Sequence, residues 1–372
     1  MNMFLTYYSN NQCKEKRNIA LSSVNKVEYI LKKIINETPI TVLSASNSLE
    51  GISKKSIIKT NCGVPVILPF SMGKKNLINK IIDRFIIKAQ LLWWLIFKLK
   101  SKDTLIVYHS LGYMKIVSFA KKIKKFKLII EVEEIYGDVL NNNYTIKKEL
   151  NFFKLADSYI FPTELLNKKI NVKNKPYVII HGTYNVEPKL VNKFNDGKFH
   201  CVYAGTFDSR KSGCIASVTS SLYLNEKYHI HIIGFGTKED TEKIIKSIEG
   251  ISNKTKCKVT YDGCFSGEEY LKFIQKCDIG LSTQNPIAKF NDTSFPSKIL
   301  SYMANGLRVV SVMIPVVETS SIGKYLYYYY EQSPEKIAEA IKKVNFNDEY
   351  DSRKIISELD IKFQRELKSI IG

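Results

Sequence analysis

The sequence predicts an α/β protein made of two doubly wound domains, and three observations carry that expectation. Short apolar runs rich in β-branched residues alternate with amphipathic stretches through both halves of the chain. That alternation suits parallel strands covered by helices on both faces. A polar stretch near 182–198 separates the two halves, and 372 residues are enough for two such domains.

In the first half the predicted strands are Ile40–Ser44, Val64–Leu68, Thr104–Tyr108, Lys127–Val132 and Ser158–Pro162. Asn18–Ile35 and Ile116–Lys124 lie between them with helical patterning; Val27, Ile30, Leu31 and Ile34 recur at three- and four-residue spacing. The second half repeats the scheme with Phe199–Ala204, His229–Gly234, Val259–Tyr261, Asp278–Ser282 and Arg308–Val312. His181-Gly182 ends an apolar run, and Asn185 to Gly197 is polar. The expected domains are therefore 1–184 and 185–350, followed by an amphipathic C-terminal helix over 351–372. Open α/β sheets hold ligands at the C-terminal ends of their strands, so the two domains would face each other across a ligand cleft.

Composition excludes several classes. Hydrophobic residues are 44% and charged residues 25%, with 18 Gly and 10 Pro, so a disordered or collagen-like chain is out. The net charge is +20, and its distribution is uneven. Residues 1–195 hold 32 basic and 14 acidic side chains, whereas 196–372 hold 24 and 22. One half thus faces an anionic surface or ligand while the other is close to neutral. No aromatic-interleaved basic motif of the RNA-binding kinds accompanies the charge, so a nucleic-acid partner is not expected. The seven cysteines form no C-x-x-C pair and no zinc-finger spacing with His181, His200, His229 or His231, which reads as reduced, mostly buried thiols in a cytosolic protein. Met1 to Asn11 is polar and shows no secretory signal.

The most apolar segment is Phe85–Leu99, with Trp93 and Trp94 side by side and Lys88 and Lys98 interrupting it. It is too short to span a bilayer, which takes about 20 apolar residues. Two readings stand: a buried or half-buried helix, and an interfacial helix with its Trp pair at headgroup depth and Lys88, Lys98, Lys100 and Lys102 toward anionic lipid.

Three turns in the second half could hold a ligand. After the strand ending at Ala204, the segment Gly205-Thr206-Phe207-Asp208-Ser209-Arg210-Lys211-Ser212-Gly213 leads into a helix. Gly205 allows close backbone approach, and Arg210 and Lys211 place positive charge beside a helix N-terminus, a combination that suits a diphosphate. It is neither a P-loop nor G-x-G-x-x-G, and an ordinary strand–helix turn reads the same way. Gly234-Phe235-Gly236 makes a tight turn after another strand. From Asn291 to Gly306, Ser294 is placed to cap a helix, Pro296 suits its first turn and Gly306 its end. Lys298 in that first turn opposes the helix dipole, which makes sense where an anion binds beside Ser297 and Lys298, although a solvated lysine reads equally well.

On the other half, His109 follows the strand ending at Tyr108 and sits at the ligand edge of the sheet, as a structural or a functional histidine. Glu131, Glu133 and Glu134 end the next strand, with Glu131 and Glu133 on one face. A carboxylate there could orient an acceptor hydroxyl or act as a general base, or could pair with nearby lysines.

Taken in order, these segments resemble the group 1 (glycogen-synthase-like) glycosyltransferases with the GT-B fold, in a divergent branch of bacterial polysaccharide biosynthesis. Tyr203-Ala204-Gly205 through Lys211 is similar to that family's phosphate loop, and Ile232-Ile233-Gly234-Phe235-Gly236 to its second strand and turn. Val259 to Gly263 and Cys264 resembles the segment that contacts the nucleobase, and Cys277 to Leu281 the strand before the sugar site. Phe295-Pro296-Ser297-Lys298 through Ala304-Asn305-Gly306 is the most specific match. The resemblance implies a nucleotide-sugar donor, UDP-linked, bound without a metal or other cofactor, and retention of anomeric configuration. It also implies that His109 contacts the transferred sugar, and that Thr206 and Ser301 line the donor site with Thr293. The family's paired glutamates would fall at Thr293 and Ser301, its phosphate-loop Arg at Thr206, and its N-terminal Gly-rich loop at Arg17 to Leu21; none of these positions keeps the family's residue.

The expected activity is sugar transfer to a growing surface polysaccharide or oligosaccharide such as an O-antigen or capsule, on a polyprenyl-diphosphate lipid. The basic half and the Trp93-Trp94 segment place the protein peripherally on the cytoplasmic face of the membrane. Two other readings remain: a non-catalytic GT-B partner protein, which the loss of both glutamates favours, and a nucleotide-sugar epimerase on the same fold.

Overall fold

In the computed structural model the described residues are 2–73, 76–207, 213–286, 291 and 294–371. The chain divides into two units: Met1–Thr183 with Lys362–Gly372, and Tyr184–Ile361. The last helix, Ser352–Ile371, starts in the second unit and ends in the first.

The first unit is built on eight strands: β1 Asn2–Thr6, β2 Ile40–Ser44, β3 Ser56–Lys59, β4 Pro65–Leu68, β5 Thr104–Tyr108, β6 Lys127–Glu131, β7 Ser158–Phe161 and β8 Tyr177–Ile179. Their order is β3-β4-β2-β1-β5-β6-β7-β8. All neighbours are parallel except β3, which runs antiparallel to β4 at the edge. The chain first builds outward from β1 through β2 and then returns to β5 on the other side. The topological switch point is therefore between β1 and β5, and His109 follows β5 directly.

The second unit carries β9 Phe199–Thr206, β10 Tyr228–Phe235, β11 Lys258–Gly263, β12 Ile279–Ser282, β13 Arg308–Val312 and β14 Tyr327–Tyr329. Their order is β11-β10-β9-β12-β13-β14, all parallel, with the switch point between β9 and β12. Residues such as Val202, Ile230, Ile232, Leu281 and Val309 are wholly buried, as central strands covered on both faces require.

The sequence reading misses β1. Asn2-Met3-Phe4-Leu5-Thr6 lies in a segment read as polar, yet Met3, Phe4 and Leu5 are fully buried at the centre of the sheet. The run is five residues long and ends in the polar stretch Ser9–Gln12, so its burial is set by β2 and β5 on either side. Edge strands β3, β8 and β14 were also beyond the sequence pattern, because exposed or short strands carry little periodicity.

The apolar segment, up to Phe97, forms the second part of a 21-residue helix, Leu77–Phe97, started by Asn76, whose side chain accepts the Asn79 N–H. Ile87, Leu91 and Leu95 face the core, and burying each contributes roughly 1.5–3 kcal/mol. Buried Asp83 is satisfied by the Met72 N–H at 2.7 Å and the Ser71 hydroxyl at 2.9 Å. The other face is exposed at Leu77, Ile78, Ile81, Ile82, Phe85, Trp93 and Phe97. No described helix is long and apolar enough to cross a membrane.

Candidate functional site

In the second unit, Thr206, Ser294, Ser297 and Lys298, four of the residues singled out from sequence, gather at the C-terminal ends of β9 and β12. A pocket of about 400 Å³ opens there, lined among others by Tyr203, Thr206, Thr283, Gln284, Ser297 and Lys298. Its walls are glycine-dependent. Gly205 has φ +154°, and a Cβ on it would meet the Lys298 side chain at 2.6 Å. Gly234, its register partner on β10, has φ +136°, and a Cβ there would come within 1.8 Å of the Gly205 carbonyl oxygen. No other residue fits at Gly234.

Lys298 lies in the first turn of the helix Ser297–Ala304. Helical side chains lean toward the N-terminus, which carries its ammonium back to the Tyr203 ring, 3.7 Å from the centroid. Pro296 is the residue before the helix rather than its first, and its ring offers no capping hydrogen bond. Ser294 lines the pocket. Tyr302, one turn further, is wholly buried; its hydroxyl accepts the Ala204 N–H at 2.9 Å and holds this helix against β9.

The helix Gly213–Ser220 starts beside the same strand ends. The Thr283 hydroxyl donates to the Gly213 carbonyl at 2.6 Å, and a Cβ on Gly213 would strike the Thr283 carbonyl. Gln284 is fixed by the Tyr329 hydroxyl, which accepts its N–H at 3.0 Å. Gly236 follows β10, and Gly263 sits at a bulge between β10 and β11 with the exposed Cys264 after it. Ser301 is half-buried, 3.2 Å from the Tyr270 hydroxyl. Arg210, Lys211 and Thr293 lie outside the described residues.

In the first unit, His109 is 1% exposed, with Nε2 2.7 Å from Glu149 Oε1. Glu149 also accepts the N–H groups of Tyr136 and Gly137, at 2.9 and 2.7 Å. A carboxylate so placed takes the Nε2 hydrogen and leaves Nδ1 with its lone pair; Nδ1 has no hydrogen-bond partner among the described residues. Burial pushes His109 down to about 3, so the ring is neutral. Burial also raises Glu149, against the pull of its two backbone bonds.

Glu131 and Glu133 both pair with Lys26 from the helix Leu21–Ile34. Burial works against the charge on Lys26, but Glu133 and Glu131 outweigh it and hold the ammonium above its ordinary value. Glu131 is held well above the carboxylate range by burial and by Glu133; partial burial works against the charge on half-buried Glu133 too, but Lys26 draws it below. Glu134 is half-buried, its side chain makes no hydrogen bond or ion pair among the described residues, and burial and Glu133 raise it. Lys26 and Glu149 were not visible from sequence, since each sits in an ordinary amphipathic helix. Arg17 is buried where the Gly-rich loop was missing, donating to the Ser46 and Pro69 carbonyls and the Ser53 hydroxyl.

No protein-family model matches the sequence, and no curated protein sequence matches it. Solved structures do match. The E. coli trehalose-6-phosphate structure bound with UDP-2-fluoro glucose superposes with a TM-score of 0.66 at 10% identity, covering 100% of this chain and 98% of that one. HepE from Anabaena in complex with UDP gives 0.61 at 10% identity, over 100% and 97%. A UDP-forming α,α-trehalose-phosphate synthase from Burkholderia xenovorans, in complex with glucose-6-phosphate, gives 0.60 at 9% identity, over 100% and 98%. The chain has the GT-B fold. At such identities the likeness carries the GT-B architecture across the whole length and leaves the chemistry to the residues.

Proposed function

We propose that this GT-B protein transfers a sugar from a UDP-sugar to an acceptor hydroxyl. The single observation that carries the reading is the pocket at the β9–β12 switch point, where the Lys298 ammonium, the start of Ser297–Ala304 and the Gly205 backbone converge. A diphosphate suits that set: the helix start offers N–H donors, and Lys298 offers a cation. Arg210 and Lys211, adjacent in sequence to the start of Gly213–Ser220, would add to it. UDP is the nucleotide carried by the similar E. coli and Anabaena structures.

In the reaction the bond between the anomeric carbon and the diphosphate oxygen breaks, and the acceptor oxygen bonds to that carbon. The acceptor oxygen attacks on the face from which UDP departs, so configuration is retained, and the acceptor proton leaves with the UDP diphosphate. The cationic side chains and helix starts stabilise the leaving diphosphate without a metal. His109 accepts a hydrogen bond from a sugar hydroxyl through Nδ1. Glu134, the one of the three glutamates outside the Lys26 pair, orients the acceptor.

The acceptor is a surface saccharide on a polyprenyl-diphosphate lipid, reached at the cytoplasmic face of the membrane. Support comes from the basic first half and from the exposed apolar stripe Ile78, Ile81, Ile82, Phe85, Trp93 and Phe97, with Lys98 over the Trp93 ring.

The deciding experiment is calorimetric titration with UDP, GDP and their sugars. Binding that selects UDP and is lost in Lys298→Ala supports the reading. Silence across the panel overturns it and favours the non-catalytic partner protein, in keeping with Ser301 and Thr293 where acids would stand.

A further inference from the structure

β9 and β10 begin with three histidines. His200 pairs in register with His229, and His231 lies two residues further on the same face of the sheet. All three are buried, and one ring nitrogen from each lies within 4.8 Å of the others. Each ring is also held from outside. His200 Nε2 is 2.9 Å from Asp196 Oδ1, and His231 Nδ1 is 3.1 Å from Asp262 Oδ2. His229 Nε2 is 3.0 Å from the Thr260 hydroxyl, which itself donates to Asp262 at 2.8 Å. Asp262 reaches this place because the bulge between β10 and β11 leaves it without a register partner.

Counting hydrogens through this network leads to a cation. Ionised carboxylates only accept, so Asp196 fixes a hydrogen on His200 Nε2 and Asp262 fixes one on His231 Nδ1. The inner atoms, His200 Nδ1 and His231 Nε2, then both carry lone pairs, and they lie 2.9 Å apart. Two lone pairs at that distance repel unless something positive stands between them: a third proton or a metal ion. The third ring keeps a lone pair as well: the Thr260 hydroxyl gives its hydrogen to Asp262 and so accepts the His229 Nε2 hydrogen, which leaves Nδ1 free of one. Phe194 stacks on His200 and His231, with centroids 4.3 and 5.4 Å away, and Phe273 meets His231 edge-on, which shields the cluster.

We propose that His200, His229 and His231 bind one divalent transition-metal ion, Zn²⁺ foremost, that ties β9 to β10. Imidazole nitrogen is the ligand such ions prefer, and a carboxylate behind a ligating histidine is the arrangement that fixes its tautomer and raises its basicity. Nitrogens bound at 2.0–2.1 Å in a tetrahedron stand roughly 3.4 Å apart, so His200 and His231 open by about half an ångström on binding. The site lies at the N-terminal ends of β9 and β10, whereas the donor pocket lies at the C-terminal end of β9. The ion is thus a brace within the second unit, and it stands apart from the proposed transfer chemistry.

The test uses the full chain, stripped with EDTA and titrated with ZnCl₂ and, separately, with CoCl₂. The expected result is one equivalent bound per chain, a rise in Tm that EDTA reverses, and visible Co²⁺ ligand-field absorption without a thiolate charge-transfer band. His229→Gln and His231→Gln each weaken binding at least roughly tenfold. X-ray absorption at the zinc edge of the unmodified protein gives a reading independent of how the variants fold: nitrogen ligands without sulfur support the site. No saturable binding at one equivalent overturns it and leaves a shared proton between His200 and His231. Sulfur in the zinc shell, or binding that both variants retain, overturns it as well.

Discussion

The Lys298 ammonium lies 3.7 Å from the centre of the Tyr203 ring, and the same side chain covers the α-carbon of Gly205. A cation in the first turn of a helix opposes the dipole there. Held over an aromatic face at the start of that helix, it becomes part of a site for an anion. Lys298→Ala should weaken UDP binding roughly 10- to 150-fold, the worth of a charge-assisted hydrogen bond of about 1.5–3 kcal/mol. Calorimetry measures the loss, and an unchanged Tm shows that the helix is intact.

Gly234→Ala should destabilise the second unit. The new Cβ would lie 1.8 Å from the Gly205 carbonyl oxygen at a φ of +136°. Overpacking alone costs about 1–3 kcal/mol, and the backbone strain adds to it. Urea unfolding measures the difference, while Gly263→Ala, with nothing within 4 Å of its Cβ, carries only the strain of its φ.

Glu134→Gln separates acceptor chemistry from donor binding. A group that orients or deprotonates the acceptor is worth typically about 10²-fold in rate. The variant should lose turnover by about that factor while its affinity for UDP stays unchanged. Equal turnover in both proteins would remove Glu134 from the reaction.

Stability should fall on mild acidification, and His181 contributes to it. Burial pushes His181 down to about 4, its Nδ1 hydrogen going to the Pro162 carbonyl. Between pH 6.5, the ordinary histidine value, and about 4, the unfolded chain holds a proton that the folded one lacks. Unfolding therefore becomes easier as pH falls through that window, by up to about 1.4 kcal/mol per pH unit for one such group. His181→Gln should flatten the dependence of Tm on pH between 6.5 and 4.

Trp93→Ser with Phe97→Ser tests the lipid surface. Both side chains are exposed, at 46% and 69%, so the fold should be unaffected. Each is worth roughly 1.5–3 kcal/mol when removed from water. Sedimentation with anionic vesicles should fall at least roughly tenfold, and neutral vesicles should bind both proteins weakly.

Much of the scaffold was legible because parallel strands buried on both faces are apolar throughout. β2, β5 and β13 coincide with the runs read as strands, and most of the others agree to within a residue or two at their ends. β1 escaped because five residues beside a polar stretch give no period to read. At the site, Gly205, Gly234 and Lys298 stood out as residue types unusual in their local setting. Their partners did not: Tyr203, Tyr302 and Thr283 are unremarkable in sequence, and only the β9–β12 crossover brings them together. Glu131 and Glu133 drew notice as acids in an apolar run, but what they pair with depends on the helix that packs over their strand and carries Lys26.

The sequence by itself determined the two parallel-sheet domains, the uneven charge and the glycine turns, because these follow from period, composition and backbone freedom. Tertiary structure alone decided which side chains meet. A Coulomb pair or a stacked ring acts over a few ångströms, and residues 107 or 95 positions apart, such as Lys26 with Glu133 or Lys298 with Tyr203, reach that range only when the strands are ordered. The histidines at 200, 229 and 231 illustrate the same division. Their spacing matches no metal motif, and the register of β9 on β10 makes them neighbours.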